Sequence, residues 1–310
     1  MSARNRRRMM ATPLRRRLAA AAGVLAVAVV AASCASVPVQ SLVRGAVAGA
    51  APAEATVARP VVDEGLRPVS DPSPLAAGTE LVSYPISTGG RVTVGIVRGT
   101  GPLPGRTVVI LPGSDGLRAY YFELARTIAA QGYDVVVGCW FHETAPEPDT
   151  IDTCPTAGTL GVVEDRVASV QAVIDAAQAA TGATARNLSV MGYSRGGGMA
   201  LLWAARTGAT VPIVDVAGMV TGEVLGKVSP GEVDVVPAAA AVSAPVLVVH
   251  GTKDGIVDQR QSAALVAARV ASGTPVAAHW VEGSSHDVFA HDASKAEVLD
   301  TTTAWLATLA

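Results

Sequence analysis

Apolar positions in this chain recur with two alternating periods from residue 80 onward. Residues 81–86 and 91–97 are β-rich runs parted by Thr88-Gly89-Gly90, a junction that predicts a hairpin. Residues 107–111 form a short apolar run cut off by Pro112-Gly113, as expected of a strand buried on both faces. A helical stretch at about 119–131 sets Leu124, Ile128 and Ala129 on one face and stops at Gly132. Residues 133–138 read as another buried strand. A longer helix at about 160–180 follows, with Val163, Val167, Val170, Ile174 and Ala177 at spacings of three and four. Residues 187–191, 211–216, 245–249 and 276–281 read as further strands. Residues 197–206, 259–271 and 294–309 read as helices. Two antiparallel strands followed by strand–helix alternation predict an α/β protein with a mostly parallel central sheet and helices on both faces. No insertion is long enough for a large lid domain, and 219–243 is the best place for a small one.

Before residue 80 the pattern changes. Residues 1–34 hold seven arginines and no acid, and 18–32 are uncharged apolar or glycine residues. That run is short for a bilayer span of about 20 residues but suits the apolar region of an export signal. Arg15-Arg16-Arg17-Leu18 is similar to a twin-arginine signal. Ala31-Ala32-Ser33-Cys34 resembles a bacterial lipobox, in which Cys34 would be lipidated and become the new N-terminus. The alternative is plain cleavage after a small residue, with Cys34 incidental. Residues 1–34 are therefore expected to be a signal peptide for export to the cell envelope or beyond, with membrane anchoring if Cys34 carries lipid. Residues 35–78 contain Pro38, Pro52, Pro60, Pro68, Pro72 and Pro74 and read as an extended tether. The alternative there is a partly ordered strand packed on the body. This leaves 79–310 as the folded domain.

Composition narrows the function classes. Half of the residues are hydrophobic and 16% are charged, ample for a buried core. The formal charge of −2 hides an asymmetry, because without residues 1–34 the chain has 17 basic against 26 acidic residues. Such a protein is a poor candidate for nucleic-acid binding, which needs a basic face to neutralise phosphates. Beyond Cys34 the cysteines are Cys139 and Cys154, and in an exported protein such a pair reads as a disulfide. A catalytic or metal-binding cysteine is the alternative, but no histidine–cysteine spacing suggests zinc. Neither a metal nor an organic cofactor is expected.

The chemistry concentrates at Gly192-Tyr193-Ser194-Arg195-Gly196, the one G-x-S-x-G in the chain. An apolar strand precedes it and a helix follows. So sharp a strand–helix turn needs small flanking residues and lifts the Ser194 hydroxyl out at the end of the sheet. Neither G-x-G-x-x-G nor the P-loop pattern fits, so a phosphate-binding turn is the weaker reading.

With this motif in this setting, residues from about 80 to 310 resemble an α/β hydrolase, similar to the dienelactone hydrolase-like serine esterases. Where true dienelactone hydrolases carry a cysteine nucleophile, this chain has Ser194. The resemblance implies a catalytic order of nucleophile, acid and histidine. Asp254, in His250-Gly251-Thr252-Lys253-Asp254, matches the acid, and His286, in Gly283-Ser284-Ser285-His286-Asp287, matches the base. Asp258 reads as the N-cap of the following helix. His291 is the rival base, His250 and His279 read as structural, and His142 is a pocket or loop histidine. An oxyanion hole needs two backbone donors: the Arg195 N–H, just after the nucleophile, and by resemblance that of Ser114. Leu117, Arg118, Tyr120, Tyr121, Trp140, Phe141 and Trp203 are expected around the pocket. Arg118 and Arg195 would either favour an anionic acyl group or pair with acids such as Asp115 or Glu123. The resemblance implies hydrolysis of a small-molecule ester through an acyl-enzyme. An envelope acyltransferase or peptidase would use the same triad, and a non-catalytic binding protein on the same scaffold is a reading from another class.

Overall fold

The computed structural model describes residues 65–69, 77–101, 105–140, 154, 162–229, 231–289 and 292–309. Residues 1–34, read as a signal peptide, with Cys34, most of the stretch read as a tether, Phe141, His142 and His291 lie outside the described residues.

The central sheet has nine described strands in the order β1-β2-β3-β5-β4-β6-β7-β10-β11. They are β1 (Arg67–Pro68), β2 (Glu80–Pro85), β3 (Arg91–Val97), β4 (Arg106–Leu111), β5 (Tyr133–Gly138), β6 (Leu188–Tyr193), β7 (Ile213–Val216), β10 (Val246–Gly251) and β11 (Val276–Val281). The pairings β1–β2, β2–β3 and β3–β5 are antiparallel, and all later ones are parallel. This is the mostly parallel sheet the periodicity predicts. The helices are α1 (Ala119–Ala129), α2 (Val163–Thr181), α3 (Arg195–Thr207), α4 (Val236–Ala240), α5 (Gln259–Ala271) and α6 (Asp292–Thr308). Helices α2, α3 and α5 cover one face. Helices α1 and α6 cover the other, bridged by Lys295 Nζ and Glu123 Oε2 at 3.1 Å.

Strands β4 and β6 run through the middle, where Val108, Val109 and Val190 are fully buried. The chain steps from β4 to β5 on one side, then returns to lay β6 on the other. That reversal leaves a crevice at the C-terminal ends of β4 and β6, where open α/β sheets bind ligands.

Three of the differences from the sequence-based expectations have a clear physical reason. Arg67–Pro68, inside the stretch read as tether, pair with β2, and Arg91 Nη2 donates to Gly65 O at 2.6 Å. There the alternative of a strand packed on the body holds, and an edge strand tolerates Pro68 because its missing N–H has no neighbour to serve. Helix α3 starts at Arg195, two residues early, because the turn is so tight that the helix follows Ser194 directly. Strand β7 starts at Ile213 because Pro212 has no N–H for the ladder.

Residues 219–243 carry a small hairpin, β8 (Glu223–Val224) with β9 (Lys227–Val228), and helix α4. No large lid is present among the described residues. Cys139, at the end of β5, is joined to Cys154 by a disulfide with Cα atoms 5.7 Å apart.

Candidate active site

Ser194 sits between β6 and α3 with φ 54° and ψ −119°, a left-handed conformation that non-glycine residues adopt only when their surroundings hold them there. The restraints are visible. Its N–H donates to Val216 O at 2.9 Å, and its carbonyl accepts from the N–H of Met219 and of Gly197, each at 3.0 Å. The flanking glycines answer to space. A Cβ on Gly192 would lie 2.3 Å from Gly196 O, and one on Gly196 would lie 2.3 Å from Leu111 O. The turn is thus packed backbone against backbone on the end of β4.

Around that hydroxyl the fold gathers two residues remote in sequence. His286, on the loop after β11, places Nε2 3.0 Å from Ser194 Oγ and Nδ1 2.7 Å from Asp254 Oδ2. Asp254, on the loop after β10, accepts at Oδ1 from the N–H of Ile256 at 2.8 Å and of Val257 at 2.9 Å. Burial pushes its carboxyl up, but the hydrogen bonds from His250 and His286, the His286 charge and the Val257 N–H outweigh it. The carboxyl is held well below the usual range and stays ionised. Tyr193, the residue before the serine, donates its hydroxyl to His286 O at 3.0 Å and packs beside the imidazole with ring centroids 5.3 Å apart.

The loop after β4 closes the site. A Cβ on Gly113 would lie 3.2 Å from Ser194 Cβ, so this loop faces the serine directly. Gly113 N–H is occupied by the Tyr121 hydroxyl at 2.6 Å, while the N–H groups of Ser114 and Arg195 donate to no described residue. Tyr121 and Tyr120 donate to Asp115 at 3.1 and 2.7 Å. Burial pushes the phenols of Tyr120, Tyr121 and Tyr193 up, so each stays a neutral donor.

The expected pocket residues separate. Arg118 is exposed and Tyr120 half-buried, but Leu117 and Trp140 are buried. Trp140 does not form a rim: its indole N–H donates to Pro112 O at 3.0 Å and props the loop from beneath. Trp203 is also buried and donates to Gln171 on α2. Arg195 pairs with neither Asp115 nor Glu123. Its Nε lies 2.6 Å from Glu232 Oε1, in the segment between β7 and β10. Burial pulls this guanidinium down in pKa and the Glu232 carboxylate pushes it back up. Asp258 caps α5 by accepting from Arg260 N–H, as read from the sequence, and His279 pairs with Glu297 at the surface. No sequence signal singles out Tyr193 or Glu232, and His250 reads there as structural. His250, four residues before Asp254, is fully buried with Nε2 3.0 Å from Asp254 Oδ2.

A mostly parallel sheet with a strand–serine–helix turn at its reversal point defines the chain as an α/β hydrolase. The chain belongs to the dienelactone hydrolase family, whose model matches residues 93–310. It is a hydrolase. Among solved structures it is similar to a protein assigned as a dienelactone hydrolase from Klebsiella pneumoniae, at 20% identity and a TM-score of 0.57, covering 78% of this chain and 98% of that one. Est1E from Butyrivibrio proteoclasticus aligns at 15% identity and a TM-score of 0.53, covering 79% and 100% of the two chains. An α/β serine hydrolase homologue from Coxiella burnetii aligns at 16% identity and a TM-score of 0.52, covering 81% and 99%. At these identities the likeness is one of fold. No curated protein matches the chain.

Proposed function

We propose that this protein is an exported carboxylic ester hydrolase working through a Ser194 acyl-enzyme. The observation that carries the reading is the continuous hydrogen-bonded line Ser194 Oγ, His286 Nε2, His286 Nδ1, Asp254 Oδ2, with separations of 3.0 and 2.7 Å. In this reading His286 Nε2 takes the hydroxyl proton as Ser194 Oγ adds to the ester carbonyl, and Asp254 holds the tautomer and stabilises the imidazolium. The N–H groups of Ser114 and Arg195 receive the negative oxygen of the tetrahedral intermediate. On collapse His286 returns the proton to the leaving alcohol, leaving the acyl group on Ser194. Water, deprotonated by His286, then adds to that acyl group, and Ser194 leaves with the proton back on its oxygen. Support for export, and for lipid anchoring at Cys34, comes from residues 1–34 alone.

The test is hydrolysis of p-nitrophenyl acetate and butyrate beside Ser194→Ala. We expect the variant to lose about 10⁴-fold or more in kcat and to lose fluorophosphonate labelling. A folded wild-type protein that neither turns over these esters nor labels would overturn the reading. For export, Cys34→Ser should move the protein from the membrane fraction to the soluble envelope fraction, and unchanged partition would remove the lipid anchor.

A further inference from the structure

His250 is the penultimate residue of β10, fully buried, and forms no part of the hydroxyl–imidazole–carboxylate line. Its Nε2 lies between two acceptors, Val257 O at 2.9 Å and Asp254 Oδ2 at 3.0 Å, so this nitrogen carries a proton. Its Nδ1 lies 2.7 Å from the hydroxyl of Ser262 on α5, itself fully buried. The Asp254 carboxylate is therefore surrounded: Oδ1 takes two backbone N–H groups, and Oδ2 is shared by His286 Nδ1 and His250 Nε2. A carboxylate offers about four lone-pair directions, and four donors face this one. Without His250, Oδ2 would keep His286 as its sole donor among the described residues, and only the two bonds at Oδ1 would resist the carboxylate swinging with the ring it is meant to hold.

We propose that His250, itself anchored by Ser262 on α5, is a positioning residue of the reaction, fixing Asp254 so that Oδ2 meets His286 Nδ1. The inference rests on the catalytic reading above. The charged groups facing His250 are Asp254 and Asp258 from its own loop and Asp215 from the adjacent strand β7, with His286 beyond Asp254.

The experiment compares His250→Asn, His250→Gln and wild type in the whole protein. A glutamine amide reaches the place of Nε2 and can donate to Asp254, whereas asparagine reaches only that of Nδ1. We expect His250→Asn to lower kcat about tenfold with KM within twofold, and His250→Gln to recover most of the loss. Removing a donor from Asp254 makes that carboxylate more basic and favours the His286 imidazolium. The acid limb of the kcat/KM profile should thus move to higher pH in His250→Asn only. The downfield proton resonance of His286 Nδ1 should shift in His250→Asn and return in His250→Gln. A folded His250→Asn with wild-type kcat and an unmoved resonance would overturn the proposal. Equal loss in both variants with an unmoved resonance would reduce His250 to a packing residue. If wild type turns over no ester, the catalytic reading fails, and the resonance alone still decides whether His250 holds Asp254.

Discussion

Glu232 Oε1 lies 2.6 Å from Arg195 Nε, which fastens the segment between β7 and β10 to the residue that follows Ser194. The same carboxylate is 3.3 Å from Arg166 Nη1 on α2, and Arg166 Nη2 donates to Gly231 O at 2.6 Å. The side chains of Arg166, Arg195 and Glu232 are only 2%, 11% and 6% exposed, so one anion serves two nearly buried cations. Removing one partner of such a cluster leaves buried charge uncompensated, at a cost of about 3–5 kcal/mol. We expect Glu232→Ala to lose stability of that order in urea unfolding. It should also slow ester turnover, because the Arg195 N–H loses its support. Wild-type stability would show the cluster to be energetically neutral.

Asp254, held below the usual carboxylate range, gives a pH prediction. Its stabilising contribution is complete above the ordinary pKa of an aspartate and is lost as pH falls through the depressed one. Across pH 5 to 9 it stays charged and should contribute no ionisation to the acid limb of kcat/KM. An Asp254 ionisation in that limb would contradict this. Asp254→Asn should lower kcat about 10⁴-fold through loss of the correct imidazole tautomer.

Asp215 shifts the opposite way. It is completely buried on β7, neither carboxyl oxygen has a hydrogen-bond partner among the described residues, and burial raises its pKa from 3.8 to about 7, with the nearby His250 opposing. Between those values the folded chain holds a proton that the unfolded chain has released. Stability should therefore fall as pH rises from about 4 to 7 and then level off. The rise in pKa corresponds to a loss of about 4 kcal/mol. Asp215→Asn should flatten this slope, and an unchanged slope in urea titrations at pH 4.5 and 8 would refute the assignment.

The Cys139–Cys154 bond closes a sequence separation of 15 residues, worth about 3 kcal/mol in the chain-entropy account. Cys139 adjoins Trp140, whose indole props Pro112. Reduction, or Cys139→Ser with Cys154→Ser, should therefore lower both the melting temperature and kcat. A fall in melting temperature with kcat unchanged would separate the disulfide from the loop facing Ser194.

Gly196→Ala tests the turn itself. Its methyl would meet Leu111 O at 2.3 Å and Pro112 O at 2.6 Å, both backbone atoms. We expect a folded but displaced turn, with kcat down at least about 100-fold, in line with the cost of misplacing reacting groups by about 1 Å. Near-normal turnover would show that β4 can yield.

Much of this was readable before folding because it rests on local pattern. The alternation of apolar runs predicted the sheet, and the glycines around Ser194 predicted the turn, since each signal lies within a few consecutive residues. Asp254 and His286 were legible through their resemblance to a family order. Trp140 was misplaced at the rim because sequence position shows that an aromatic follows a strand, not whether its indole points toward solvent or beneath the neighbouring loop. For Arg195 the sequence leaves open an anionic acyl group or pairing with an acid such as Asp115 or Glu123, yet the tyrosines hold Asp115 and the pairing acid is Glu232, 37 positions away.

The sequence by itself determined the class of fold, the sharp turn at Ser194 and the supply of a carboxylate and an imidazole on late loops. These follow from hydrophobic period, glycine placement and motif order, all local properties of the chain. Only the tertiary structure decided which side chains face which. Strands β6, β10 and β11 lie far apart in sequence, and their parallel register brings Ser194, Asp254 and His286 within hydrogen-bonding reach. The same packing put His250 behind the carboxylate, Tyr193 under the histidine loop and Glu232 against Arg195, because contacts across a sheet depend on register and burial.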